Sequence, residues 1–198
     1  MVILYGAGGH ATVVRETLSR SKTKVRGLFD DAPKGKKFLS LPVFGRYDPK
    51  KFGRDKVIVT VGDNRSRKQV AMRVRHAFAK TIDPSAVVSG SANIGDGTMV
   101  LHGSIVQAQS KIGLHVIVNT GARIDHDCVI GDFAHIAPGA ILCGRVSVGE
   151  GSLVGAGSVV IPGISIGKWA TIGAGSVVIR DVPDGAVVAG NPAAKLRP

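Results

Sequence analysis

The chain has 198 residues, 44% of them hydrophobic, which is enough for one or two compact domains with buried cores. No apolar run reaches the roughly 18 residues that a membrane-spanning helix needs, and the start is a short apolar strand rather than a charged signal region, so we expect a cytoplasmic protein. The net charge of +12 lies entirely in residues 1–80, which carry 19 Lys and Arg against 6 Asp and Glu, whereas residues 81–198 carry 7 against 8.

Residues 1–80 alternate predicted strands and helices, a pattern typical of a small Rossmann-like parallel α/β sheet. The predicted strands are 2–5, 25–30 and 57–61. The predicted helices are 11–19 and a basic helix over 65–79. We therefore assign residues 1–80 to an α/β domain, separate from the repetitive sequence that follows.

The turn at residues 6–10 meets the relaxed form of the dinucleotide-binding fingerprint, with Gly6, Gly8, Ala11 and an acidic residue, Asp30, about 20 residues further on. Glycines in such a turn admit a phosphate to a helix N-terminus, where N–H groups and the helix dipole favour anions. Because a domain of this size supplies only one mononucleotide-binding half, a single nucleoside diphosphate fits it better than NAD. A tight turn without a ligand is the alternative.

From residue 82 to residue 178 every sixth residue is aliphatic, at all 17 positions, and small or β-branched residues follow four positions later, with Ile164 as the large exception. Neither a helix nor a strand has this period, whereas parallel β-helices do. Three short strands, one for each six-residue repeat, would form a triangular coil, which gives about five coils at the inter-strand spacing. Glycines directly after the aliphatic residues, such as Gly95 and Gly113, suit corners with unusual backbone angles. Residues 81–198 are assigned to this β-helix and a C-terminal tail.

His126 is the first candidate for chemistry, because it lies between Asp125 and Asp127 two residues past a core aliphatic and should therefore point outward. A flanking carboxylate fixes the tautomer of an imidazole and raises its basicity. Gly144 follows one coil later and would leave room and an exposed N–H above the ring. His135 lies half a coil away and faces elsewhere, so a neighbouring subunit would be needed to bring both histidines into one site, and a three-fold trimer would supply it. Solvated wall histidines are the alternative.

The two cysteines, Cys128 and Cys143, have neither the count of a disulfide scaffold nor the spacing of a zinc site, and we expect reduced thiols. They raise the alternative of a covalent acyl-thiol mechanism. Cys128 falls at an inward position, and Cys143 has no adjacent base in the sequence. A mechanism without a covalent intermediate on either cysteine is therefore favoured.

Several short motifs occur along the whole chain in a characteristic order: Gly6-Ala-Gly-Gly-His10, Phe29-Asp-Asp31, Val61-Gly-Asp-Asn64, Asn119, Asp125-His-Asp127, His135 and Gly190-Asn-Pro-Ala193. In this the sequence resembles the bacterial hexapeptide acetyltransferases of the PglD and NeuD type, which acetylate amino-sugar nucleotides or sialic acid. The resemblance implies a left-handed β-helix, a homotrimer with sites between subunits, a nucleotide sugar in the first domain, and acetyl-CoA as acetyl donor in the groove between adjacent β-helices.

The resemblance also implies residue roles. It makes His126 the general base and Asp127 its acidic neighbour. It implies acetyl-CoA contacts at His135, Gly144 and Lys195, the last with the CoA phosphates. Asp31 would read the base and the glycine turn would hold the phosphates, so that the substrate-binding set is Gly6, Gly8, Gly9, His10, Asp30, Asp31, Gly62, Asn64 and Asn119. The implied reaction is direct N-acetylation of a nucleotide-linked amino sugar, such as a 4-amino-4,6-dideoxy sugar on UDP, GDP or dTDP.

Four other functions stay open at this point. Sialic acid O-acetylation differs in nucleotide dependence, because free sialic acid carries no diphosphate for the glycine turn. A non-catalytic β-helix would not be stabilised by acetyl-CoA. The basic first domain attracts polyanions, but without an aromatic stacking surface we expect no nucleic acid partner. The basic segment 65–80 leaves a weak association with a membrane surface open, without a transmembrane segment.

Overall fold

The computed structural model describes residues 1–32 and 35–196. Its first part is a parallel sheet with the strand order β2-β1-β5, accompanied by two helices. The elements are β1 (Val2–Tyr5), α1 (Gly9–Arg20), β2 (Val25–Phe29), β3 (Lys37–Phe38), β4 (Leu41–Pro42), β5 (Lys56–Val59) and α2 (Asn64–Ala71). The predicted small parallel α/β sheet is confirmed. The antiparallel pair β3 and β4 is an addition that the sequence did not predict.

Helix α2 ends at Ala71 rather than at residue 79, so its predicted length is wrong. The chain beyond the helix turns extended because it pairs with β5. The N–H of Val57 donates to the carbonyl of Ala77 at 2.9 Å, and the N–H of Ala79 donates to the carbonyl of Val57 at 3.0 Å. These backbone bonds satisfy an open edge of the sheet, which a continued helix would leave unpaired.

Beyond Lys80, short strands stack into a parallel β-helix with three walls. Wall 1 contains β6 (Thr81–Ile82), β9 (Met99–Val100), β12 (Ile117–Val118), β15 (His135–Ile136), β18 (Leu153–Val154), β21 (Thr171–Ile172), β23 (Val187–Ala189) and, antiparallel, β24 (Ala194–Lys195). Wall 2 contains β7 (Val87–Val88), β10 (Ile105–Val106), β13 (Arg123–Ile124), β16 (Ile141–Leu142), β19 (Val159–Val160) and β22 (Val177–Val178). Wall 3 contains β8 (Asn93–Ile94), β11 (Lys111–Ile112), β14 (Val129–Ile130), β17 (Ser147–Val148) and β20 (Ser165–Ile166). The first corner joins walls 1 and 2, the second walls 2 and 3, and the third walls 3 and 1.

The solenoid has about six turns, because seven parallel strands stack on wall 1, and the prediction of five was too low. Most neighbouring strands pair across one coil of three complete repeats, as Ile124 does with Leu142. In the last coil Val188 pairs with Ile172, so this coil is shorter than the others and departs from the six-residue period. The left hand of the coil stays a prediction.

The aliphatic series fills the interior of the β-helix, as the period predicted. Burial of one such side chain contributes about 1.5–3 kcal/mol to folding. Ile82, at the start of the series, is 37% exposed, because β6 is the end strand of wall 1. The interior of the β-helix is therefore closed along nearly its whole length and is accessible to solvent only at the first coil.

The glycines that directly follow the aliphatic residues do not have positive φ, so the predicted reason for them is wrong. A Cβ on Gly95 would lie 2.4 Å from the carbonyl oxygen of Gly113, and one on Gly131 would lie 2.6 Å from the backbone nitrogen of Glu150. These glycines are required because successive coils pass too close for any side chain. Positive φ occurs two residues later in the repeat, for example at Gly97.

The first domain packs on the outer face of the strands that come early in wall 1, such as β9 and β12. One apolar cluster that joins the two parts of the chain has the buried members Val2, Leu4, Ala11, Val14, Leu18, Leu28, Ile58, Met99, Leu101 and Ile117. Wall 1 is thus covered from outside by α1 and the parallel sheet. The outer faces of walls 2 and 3 stay accessible.

Candidate active site

His126 lies on the second corner directly after β13, and its side chain is 48% exposed. Its Nδ1 is 2.8 Å from Oδ2 of Asp127. A carboxylate at this distance holds the proton on Nδ1 and leaves the Nε2 lone pair free to accept another proton. Asp125 instead accepts the backbone N–H of His126 at 2.8 Å. Only one of the two flanking carboxylates therefore contacts the ring.

Asp127 reaches the imidazole because of its backbone conformation. Its φ is 58°, in the left-handed region, which aspartate tolerates better than most residues. Its N–H donates to the carbonyl of Ala108 in the coil below at 3.0 Å, which fixes the turn. The short side chain thus lies beside the ring of the preceding residue.

Gly144 lies one coil above His126, at the same position of the second corner. A Cβ at residue 144 would lie 2.7 Å from both Cε1 and Nε2 of His126, so the ring packs there only because the side chain is missing. Within residues 1–32 and 35–196, the N–H of Gly144 has no hydrogen-bond partner, whereas its carbonyl accepts from Gly163 at 3.0 Å. A proton acceptor and an unpaired backbone donor are therefore adjacent.

A groove of about 190 Å³ runs along wall 2 beside this corner. It is lined by Ile105, Gln107, Arg123, Ile124, Asp125, Ile141, Leu142 and Cys143. Cys128 points inward, as predicted, and its thiol lies 3.3 Å from the carbonyl of Cys143. Burial raises the pKa of Cys128, which keeps it a thiol and disfavours it as a nucleophile.

His135 lies in β15 on wall 1, on a different face from His126, as the half-coil spacing predicted. Its Nε2 accepts from Nδ2 of Asn119 at 3.0 Å. Burial, with smaller contributions from Arg67 and His10, lowers the pKa of His135 to about 3. The ring is therefore neutral at physiological pH.

A pocket of about 210 Å³ separates α2 from wall 1 next to His135. Its lining is Gly62, Asp63, Asn64, Arg65, His135, Gly151, Leu153, Trp169 and Thr171. His10 adjoins Gly62, where an added Cβ would lie 3.8 Å from the Cβ of the histidine. Burial, followed by the charge of Arg67, lowers the pKa of His10 to about 4. The fold thus brings four predicted site residues, His10, Gly62, Asn64 and His135, into one region.

The glycine turn opens onto a pocket of about 470 Å³ at the start of α1. A Cβ on Gly8 or Gly9 would meet nothing within 4 Å, so the approach to the helix N-terminus is free. Gly6 has a φ of 112°, which requires glycine. The carboxylate of Asp30 accepts the N–H of Ala7 at 2.7 Å, and this contact stabilises the turn.

Asp31 opens onto a separate pocket of about 390 Å³, lined by Tyr5, Arg46, Tyr47 and Arg73. The hydroxyl of Tyr5 donates to Asp31 at 2.7 Å, and Nη2 of Arg73 lies 3.3 Å from the other carboxylate oxygen. Burial and the carboxylate raise the pKa of Tyr5, so it stays a donor. The neighbouring aspartates, Asp30 and Asp31, therefore line different pockets.

Two family profiles match the chain. The PglD N-terminal domain matches residues 1–74, and the bacterial transferase hexapeptide repeat matches residues 121–160 and 145–180. UDP-N-acetylbacillosamine N-acetyltransferase of Bacillus subtilis (strain 168) is 44% identical over 109 residues, which are 50% of this chain and 50% of that protein. The match thus spans half the length of this curated relative.

Solved structures match over nearly the full length. PerB from Caulobacter crescentus, in complex with CoA and GDP-perosamine, is 39% identical with a TM-score of 0.93, over 99% of this chain and 97% of PerB. The chain belongs to the PglD-type family of bacterial hexapeptide-repeat transferases. The acetyltransferase domain of PglB from Neisseria gonorrhoeae FA1090, in complex with acetyl coenzyme A, is 38% identical with a TM-score of 0.91, over 98% of both chains.

In this PglD-type chain, Lys195 lies apart from the other residues predicted to contact acetyl-CoA, whereas Asn64 lies where the first domain meets the β-helix. Lys195 is in β24 and lines a pocket of about 420 Å³ beside Asp184 and Leu196, away from the second corner. Asn64 donates to the carbonyl of Gly151 at 3.0 Å and holds the first domain on the β-helix, while its role toward substrate stays a prediction.

A column of aromatic rings on the third corner was not predicted from the sequence. His115 stacks on Phe133 at 5.0 Å between ring centroids, and Trp169 lies further along the same column. Basic side chains of α2 cover the column, with Arg65 4.7 Å from the Trp169 ring and Lys68 5.9 Å from the Phe133 ring. The signal was present in the sequence as aromatic residues spaced by whole coils.

These contacts bear on the basic segment 65–80 of the PglD-type domain. Lys68 also pairs with Glu150, Arg73 pairs with Asp31, and Arg67 is buried. Much of the positive charge considered for a membrane surface is therefore bound within the chain. Across the part of the chain that the structure describes, every helix is too short or too polar to cross a membrane.

Proposed function

We propose that this chain transfers the acetyl group of acetyl-CoA to the amino group of a nucleotide-linked amino sugar, with His126 as the general base. The observation that carries the proposal is the His126 imidazole held by Asp127 at 2.8 Å beneath Gly144. The pair supplies an acceptor for the proton of the attacking amine, and Gly144 supplies a donor for developing negative charge. We place the reaction in the cytoplasm, where acetyl-CoA is made.

The reaction proceeds by direct transfer. The amine nitrogen attacks the thioester carbonyl while Nε2 of His126 takes the amine proton, and the unpaired N–H of Gly144 stabilises the oxyanion. When the tetrahedral intermediate collapses, the C–S bond breaks and the imidazolium returns the proton to the CoA thiolate. Asp127 keeps the ring in the productive tautomer and stabilises its charged form. The products are the N-acetylated sugar and CoA.

The relatives support this reaction class. UDP-N-acetylbacillosamine N-acetyltransferase is an N-acetyltransferase by name, and PerB binds CoA and GDP-perosamine together. Two further structures of the Caulobacter enzyme have asparagine or alanine in place of one histidine, again with CoA and GDP-perosamine. We therefore assign the acceptor as a nucleotide-linked 4-amino sugar, with phosphates at the glycine turn and the base read by Asp31.

A homotrimer is the proposed assembly. The outward side chains of wall 2 form an apolar row interrupted by a single charge; they are Val87, Ile105, Arg123, Ile141, Val159 and Val177. An exposed apolar row of this kind is typical of an interface. A second copy packed on wall 2 would cover the groove beside His126 and bring its own first domain and His135 to that corner. An active monomer would contradict the assembly.

The substrate class is tested by offering UDP-, GDP- and dTDP-linked 4-amino sugars, the free amino sugar and free sialic acid, each with acetyl-CoA. Mass spectrometry of the products and calorimetry of binding give turnover and affinity. We expect N-acetylation of at least one nucleotide-linked sugar and much weaker use of the free sugar, because it lacks the diphosphate. Preferred O-acetylation of free sialic acid would overturn the proposal.

A further inference from the structure

Arg67 on α2 is the largest side chain in the described part of the chain that is fully shielded from solvent, with a relative exposure of 0%. A charged group taken out of water is costly unless its donors are all paired. Asp63 faces it across the first turn of the helix and favours its charged form, although burial lowers the pKa of Arg67 to about 10. The guanidinium is therefore charged at physiological pH and must be held by hydrogen bonds.

On the side of the first domain, Arg67 binds the loop that follows β5. Nη1 donates to the carbonyls of Val61 at 3.1 Å and Gly62 at 2.9 Å. Nη2 donates to Oδ1 of Asn64 at 2.8 Å. This loop lines the pocket between α2 and wall 1, and its Gly62 adjoins His10.

On the side of the β-helix, the same guanidinium binds two successive coils. Nε donates to the carbonyl of His115 at 2.9 Å, and Nη2 donates to the carbonyl of Phe133 at 2.7 Å and approaches that of Ala134 at 3.4 Å. His135 is the next residue along the chain. One planar group thus ties the backbone beside His10 to the backbone beside His135.

We propose that Arg67 is a positioning residue of the acetyl-transfer site, which fixes the first domain on wall 1 so that His10 and His135 face a common space. The inference rests on the proposed function, since it gives these two histidines a shared task. That task suits the amino group of the sugar, because Nε2 of a neutral His10 has no partner among the described residues and can accept a hydrogen bond from the amine, whereas an imidazolium would repel an ammonium group. His135, whose Nε2 already accepts from Asn119, lines the same space as a neutral ring.

The electrostatics agree with this geometry. Burial is the larger cause and the charge of Arg67 the next cause of the lowered pKa of His10, about 4, and of His135, about 3. His115 packs against the same guanidinium and has a pKa of about 4, with Asp96 and Asp132 acting in the opposite direction. Among the described residues, the titratable neighbours that act on His135 are Arg67, which is charged, and His10, and Asn119 is its hydrogen-bond donor. Arg67 therefore helps to keep both site histidines neutral.

The test compares Arg67→Lys with Arg75→Lys as a matched control, because the side chain of Arg75 lies outside the network. Lysine keeps the charge but cannot bridge six acceptors with a planar fork. We expect the Arg67 variant to stay folded by circular dichroism and to lose at least about tenfold in kcat. Its KM for the nucleotide sugar should change by less than kcat, since the glycine turn and Asp31 do not contact Arg67. The control should match the wild type. An unchanged kcat in Arg67→Lys would overturn the proposal.

A measurement on the wild-type protein decides the matter if the variant does not fold. In ¹⁵N-edited spectra, a locked guanidinium gives a slowly exchanging Nε–H and resolved Nη–H signals, and the rings of His10 and His135 do not titrate between pH 8 and pH 5.5. A freely rotating guanidinium with both histidines titrating near their ordinary pKa would contradict the proposal. Wild-type turnover tests the proposed function separately, so the two can fail independently.

Discussion

The contact between His126 and Asp127 depends on one backbone angle. A side chain next to a histidine in an extended strand would point to the opposite face, but the left-handed φ of 58° at Asp127 brings its carboxylate to 2.8 Å from Nδ1. The sequence predicted that His126 points outward beside acidic residues. It could not say which aspartate touches the ring, because that depends on φ at a single residue.

Asp127→Asn tests the contribution of the carboxylate charge. Asparagine also tolerates the left-handed region, so the turn should keep its shape, while the imidazolium formed during transfer loses its counter-charge. We expect kcat to fall at least about tenfold in steady-state assays. Asp125→Asn should lose less, since its carboxylate binds a backbone N–H. Equal losses in both variants would argue against the assignment.

Gly144→Ala tests the space above the ring. The new Cβ would lie 2.7 Å from Nε2, so the imidazole must move, and a displacement near 1 Å costs about 10²-fold in rate. The fold should persist, because Ala108 occupies the equivalent position two coils below. Calorimetry should show nucleotide-sugar affinity close to wild type. Normal turnover in this variant would show that the ring position is not critical.

At the scale of the elements, the six-residue period predicted the walls, the inward series and the inward Cys128. It failed where the chain departs from the period, in the shortened last coil, and where tertiary pairing overrides helix propensity, as when residues 77–79 join β5. The glycines after the aliphatic residues were predicted at the correct places for the wrong reason. A sequence cannot distinguish a close approach between coils from a left-handed turn.

Gly131→Ala and Gly139→Ala separate these two reasons. A Cβ on Gly131 would lie 2.6 Å from the backbone of the next coil. A Cβ on Gly139 would meet nothing within 4 Å, so the only cost of alanine at residue 139 is the backbone strain of a φ of 67°. That strain is about 1–2 kcal/mol. Urea unfolding should show a larger loss of stability for Gly131→Ala. The reverse order would mean that the coils relax around the added methyl group.

At the scale of the whole molecule, three neutral histidines, His115 buried and His10 and His135 half-buried, make stability depend on pH. The folded pKa values of about 4 for His10 and His115 and about 3 for His135 lie below the value of 6.5 expected in the unfolded chain, so the unfolded state binds more protons as the pH falls. Stability should therefore decline from pH 6.5 toward pH 4, by at most about 1.4 kcal/mol per pH unit for each histidine. Urea unfolding at pH 7.5, 6.0 and 5.0 measures it, and a flat response would contradict the burial of these rings.

The docking of the first domain on the β-helix was the least predictable feature. The basic residues of α2 left an association with a membrane surface open, and only the fold shows that Arg65 and Lys68 cover aromatic rings and that Arg67 is buried. Composition gives the sign of a charge and not its partner. The location of His135 on a different face from His126 did follow from sequence, since it depends only on the period.

The central claim is that His126 on the second corner acts as the base in acetyl transfer to a nucleotide-linked amine. The most direct test measures kcat for His126→Ala with saturating acetyl-CoA and the preferred nucleotide-linked 4-amino sugar, beside the wild type and beside Lys111→Ala on wall 3. We predict a loss of about 10²- to 10⁴-fold in kcat, with both substrates still bound and the control unaffected. Turnover within a few-fold of the wild type would contradict it.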